Sequence, residues 1–115
     1  RVLMFNKDYQ IVDASNGVIC LTGVLRLPSP GAYDAPFAPI YKKIQSEEFS
    51  TFVLDVTDLV FLNSAGLTAL AQLIIYCREH TIPLTLKGKK GVPWHEKSIS
   101  RSLARLWKEM IVELV

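Results

Sequence analysis

The chain predicts an α/β fold: a mixed four- to five-stranded sheet, helices packed mainly on one face, and the element order ββαβαβαβ. Three observations carry that reading. Asn16-Gly17 is a strong hairpin signal between two strand-like runs. Phe52 to Val56 is a short apolar run, and from Leu67 onward the apolar spacing changes to three and four. Helical and strand-like patterns then alternate to the end. A hairpin followed by helix-linked crossovers requires a mixed sheet whose parallel pairs cross over right-handedly.

Taken in order, residues 1–8 offer a short strand that Asn6-Lys7-Asp8 would end. Tyr9 to Asp13 and Gly17 to Leu27 form the hairpin, the second run long, apolar and central. Leu27-Pro28-Ser29-Pro30-Gly31 is a loop, because its prolines forbid both a ladder and a helix interior. Asp34 is the expected N-cap of a helix opening at Ala35-Pro36, whose Phe37, Ile40, Tyr41 and Ile44 would pack on the sheet. Phe52, Val53 and Leu54 are apolar on both alternations, as in a strand covered on two faces. Asp55 and Asp58 close it, and Val60, Phe61 and Leu62 anchor the following turn in the core. Ser64 to Arg78 is the second helix, with Leu67, Leu70, Ala71, Ile74 and Cys77 on its inner face and His80-Thr81 at its end. Leu84 to Lys87 is a strand, Lys87 to Gly91 a basic loop, Glu96 to Leu106 a helix with Ile99, Leu103 and Leu106 inward, and Ile111 to Val115 the last strand.

At 115 residues this is one domain, residues 1–115, with half of its side chains hydrophobic and no repeat or low-complexity tract. The apolar stretch from Leu67 to Cys77 is too short to span a bilayer, and no signal peptide is visible. The net charge of +2 is unevenly spread: residues 61–115 carry eight Lys/Arg against four Asp/Glu. Such a face attracts an acidic partner, anionic lipid or nucleic acid, or is simply solvated; no aromatic residues interleave it as base stacking would want. Cys20 and Cys77 lack metal-ligand spacing and read as buried, reduced core residues, which fits a cytoplasmic setting.

The informative stretch is Asn63-Ser64-Ala65-Gly66-Leu67, a small polar step at the start of a helix and at the carboxyl end of a strand. Backbone amides and the macrodipole favour an anion there, and small side chains let a partner approach. As a plain alternative, Ser64 or Asn63 is an N-cap and nothing more.

The run Val53-Leu54-Asp55-Val56-Thr57-Asp58-Leu59-Val60, then Phe61-Leu62, then Asn63-Ser64-Ala65-Gly66-Leu67, resembles the signature of the STAS domain. That fold is shared by anti-sigma factor antagonists and the cytoplasmic tails of sulfate transporters. The resemblance is specific over roughly residues 50–87, and elsewhere rests on element order. Asn63 stands where the family usually has Asp, Ala65 where it often has Ser or Thr, and the usual last helix, which would follow Val115, is missing. The resemblance implies a non-catalytic regulatory module in which Ser64 is the phosphorylated serine. The implied partners are a serine kinase that doubles as an anti-sigma factor and a PP2C-type phosphatase. It further implies a partner surface of Arg26, Pro28, Ser29, Leu62, Asn63, Ala65, Gly66 and Leu67, no cofactor, no direct contact with nucleic acid, and at most a weak homodimer.

Catalysis finds little support. Ser64 lacks a G-x-S-x-G elbow, two His and two Cys lack zinc spacing, and Gly88-Lys89-Lys90-Gly91 is not a Walker loop. Two rival readings remain. One is an unphosphorylated STAS scaffold, including a transporter-associated one. The other is a lipid, nucleotide or small-ligand sensor built on the helix N-terminus and the basic loop.

Overall fold

A computed structural model describes residues 1–46 and 48–115. It is an α/β fold with a mixed sheet of seven strands, more than the four or five expected. The strands are β1 (Val2–Phe5), β2 (Tyr9–Asp13), β3 (Val18–Leu25), β4 (Phe52–Asp55), β5 (Leu59–Leu62), β6 (Leu84–Gly88) and β7 (Ile111–Leu114), with helices α1 (Asp34–Gln45) and α2 (Ser64–Glu79). The lateral order is β1-β2-β3-β4-β6-β7, with β5 set beside β3. The β1–β2 and β2–β3 pairs are antiparallel, and all pairs beyond β3 are parallel.

The hairpin turn holds Ser15, Asn16 and Gly17 at positive φ, as Asn-Gly chemistry demands. β3 divides its length between two partners. Ile19 and Cys20 pair with Leu54 and Asp55 of β4, then Val24 and Leu25 pair with Phe61 and Leu62 of β5. The register shifts at Gly23, which sits at φ +92 against the carbonyl of Asp8, where a Cβ has no room. Between β4 and β5 the chain turns on Asp55, whose Oδ1 accepts from the amide and the hydroxyl of Thr57.

The core lies on one face. Tyr9, Ile11, Ile19, Leu21, Phe52, Leu54, Leu84 and Leu86 are buried there together with Phe37, Ile40 and Ile44 of α1 and Leu70, Leu73, Ile74 and Cys77 of α2. Their alternates Val12, Cys20, Thr22, Val53 and Thr85 are only half-buried. The expectation that β4 is covered on two faces is therefore corrected: Val53 faces an open side. The same geometry corrects Cys20, which is half-buried, whereas Cys77 is sealed and burial pushes its thiol up to about 11.

Three elements differ from expectation. Residues 59–62 form a strand of their own, and Val60 and Phe61 point outward at 67% and 45% exposure instead of anchoring a turn. Asp34 is the first helical residue of α1, not its cap, because Ser29 has already nucleated a 3-10 turn at Pro30–Tyr33 by accepting from the amide of Ala32. The third helix is broken into a π turn, His95–Ile99, and a 3-10 turn, Leu103–Leu106. Ile99 and Leu103 still point inward, and Leu106 is half-buried. On α2 the inward set is Gly66, Ala69, Leu70, Leu73, Ile74 and Cys77, so Leu67 and Ala71 lie at the margin. Among the described residues, no helix is long and apolar enough to cross a membrane.

Candidate functional site

The candidate site is the corner where β3 and β5 end and α2 begins. Asn63 organises it. Its backbone is extended at φ −76, ψ 174, and its Oδ1 accepts from the amide of Gly66 at 2.8 Å, which makes it the N-cap. The same oxygen accepts from the Tyr33 hydroxyl at 2.7 Å, and Nδ2 donates to the carbonyl of Leu27 at 2.8 Å. Tyr33 closes the circuit by accepting from the Leu27 amide at 3.2 Å. Its ring is buried, and that burial pushes its hydroxyl above the usual phenol range, so it stays a donor. One amide side chain thus ties the loop after β3, the turn before α1 and the start of α2. Both of its ends are used, one accepting and one donating.

Because Asn63 caps the helix, Ser64 does not have to. Ser64 is the first residue of α2 and is exposed to solvent. No acidic side chain sits in the first turn of α2, so the positive end of its dipole is uncompensated by charge. Beside it rise the outward side chains of β5. The Arg26 guanidinium lies 5.5 Å from the centre of the Phe61 ring, and Val60 is the most exposed of the large apolar residues.

The surface expected from sequence divides into three groups. Arg26, Pro28, Ser29 and Ser64 are exposed and share this corner; Asn63, Ala65 and Leu67 are half-buried. Leu62 and Gly66 are buried and face inward. Both therefore serve the packing of this corner. A Cβ on Gly66 would strike the Leu62 side chain and come within 2.6 Å of the Tyr33 hydroxyl, so glycine here lets α2 sit down on the 3-10 turn. Ser29 is occupied in capping that turn. The residues that sequence reasoning missed are Tyr33, Val60 and Phe61. The first carries no sequence signal, and hydrophobicity alone places the other two in the core.

His95 is fully buried and pinned at both nitrogens. Nδ1 accepts from the Lys89 amide at 2.8 Å, and Nε2 donates to the Leu59 carbonyl at 2.9 Å. Trp94 Nε1 donates to the same carbonyl at 2.8 Å. With both nitrogens engaged in backbone bonds, this histidine holds β5 in place and has no free lone pair for Ser64. His80 lies at the opposite end of α2, about 24 Å along the helix axis. Among the described residues, no group of His, Cys, Asp and Glu is arranged to hold a metal ion.

Comparison of the chain with family models, with curated proteins and with solved structures finds no match.

Proposed function

We propose that this chain is a STAS-like regulatory module whose binding of a protein partner is switched by phosphorylation of Ser64. The observation that carries the reading is the division of labour between neighbours. Asn63 takes the cap and the tie to Leu27, leaving an exposed serine at the uncompensated positive end of a 16-residue helix. A phosphate there adds about −1.5 to −2 charge next to helix amides that favour an anion, so the fold survives modification. A partner seated on Val60, Phe61 and Arg26 meets that charge directly. Binding changes while shape does not. The partners this reading calls for are a serine kinase acting as an anti-sigma factor and a PP2C-type phosphatase, and the working compartment is the cytoplasm.

The test uses a serine kinase of the anti-sigma factor class from the source genome. Incubation with ATP should place phosphate on Ser64 and on no other residue, Ser64→Ala should abolish it, and the phosphorylated protein should lose the kinase. Phosphate elsewhere, or none, overturns the proposal. A second reading, a permanently unphosphorylated scaffold or transporter-associated subunit, is favoured by the exposed apolar pair Val60 and Phe61, which needs no charge switch. Partner binding that persists in Ser64→Asp would select it.

A further inference from the structure

A cleft of about 550 Å³ opens at the far end of α2 from Ser64, between the last turns of both helices and the starts of β4 and β6. Its volume is that of a small-molecule site. Its walls include Phe49, Tyr76 and His80 as rings and Gln45, Ser50 and Thr81 as neutral polar groups. The Tyr76 and His80 rings lie 4.1 Å apart with their planes tilted by 35°, and Tyr76 also meets Tyr41 edge to face, so the aromatic wall is already ordered. Among the described residues, no carboxylate, lysine or arginine lines it. Both helices present their negative ends, which disfavours an anionic ligand. Lys43, in the last turn of α1, is held by Asp13 at 3.1 Å and Glu48 at 2.8 Å.

Thr81 adds a second, independent observation. It is a β-branched residue at φ +52, a conformation that favours glycine, on the wall of this cleft. Here it completes the helix end, its amide donating to the carbonyl of Arg78 while that of Ile82 donates to Cys77. Glycine would suit this backbone without strain, and threonine adds a side chain that lines the cleft.

We infer that this cleft binds a planar aromatic compound that carries no negative charge, packed against the Tyr76 and His80 pair and hydrogen-bonded to Thr81, Ser50 or Gln45. The site is independent of Ser64. Indole is the probe and indole-3-acetate its anionic control, each titrated into the whole 115-residue chain with amide chemical shifts as readout. Indole should give saturable shifts centred on residues 45, 49–50, 76 and 80–81, and the anion should bind at least tenfold more weakly. Tyr76→Leu should weaken indole by about tenfold and Thr81→Gly by about threefold. Thr81→Gly relieves strain, so loss of folding does not confound it. Saturable shifts elsewhere, equal binding of the anion, absence of saturation, or unchanged affinity in Thr81→Gly and Tyr76→Leu would each overturn the inference.

Discussion

At the scale of single residues, Asn63 decides the character of the site. A serine-bearing turn of this kind tolerates either Asn or Asp as a cap, since both accept from a helix amide. Here the second function is a donor, because Nδ2 faces the carbonyl of Leu27. An aspartate would point a carboxylate oxygen at that carbonyl and leave it unsatisfied. Asn63→Asp should therefore destabilise the fold by roughly 1–3 kcal/mol, read as a lowered denaturation midpoint at unchanged slope. An unchanged midpoint would refute the tie. The sequence shows Asn63 as a good cap, and that reading holds. It does not show the donor role, because Tyr33 and Leu27 stand 30 and 36 residues away and nothing local couples them. Gly66 was legible as a small residue at a helix start, but its reasons, the Leu62 side chain and the Tyr33 hydroxyl packed against it, depend on how the chain folds back.

At the scale of elements, strongly periodic segments were legible and short ones were not. The hairpin, α1, α2 and β6 follow from turn chemistry and spacing. β5 escapes because four consecutive apolar residues show no period, and only its pairing with β3 reveals that two of them face solvent. The third helix loses its regular ladder where Trp94 and His95 are drawn to the Leu59 carbonyl and Lys89 amide, contacts that register only in three dimensions. Thr81 illustrates strain at an element's end. Replacing it with glycine exchanges left-handed strain for backbone entropy, for a net gain of roughly 0.5–1 kcal/mol. Calorimetry should show a raised melting temperature for Thr81→Gly; a lowered one would mean that its side chain packs more than its exposure implies.

At the scale of the whole molecule, the fold class and the one-sided placement of helices were legible, while the strand count was not. Hydrophobicity alone does not distinguish the open face from the closed one, since Val12, Val18 and Val53 are as apolar as their buried neighbours. Among the described residues, one ion pair joins the sheet to a helix. The amide of Ser15 and then the ammonium of Lys43 hold the Asp13 carboxyl below its ordinary value, linking β2 to α1. A depressed folded value contributes stability above the unfolded pKa and loses it as pH falls through the folded one. Asp13→Asn should therefore lower stability by a constant amount from neutral pH down to about 5, with the gap closing below about pH 4. A gap that persisted at pH 2 would show that the aspartate acts by shape and not by charge.

The division of β3 between two partners has a consequence for the serine corner. β5 is zipped to one neighbour on one side, while on the other its Leu59 oxygen is gripped by two ring N–H groups from a segment more than thirty residues downstream. The rim that presents Ser64 is thus latched from the far half of the chain, and whatever pulls on that latch tugs the start of α2 with it.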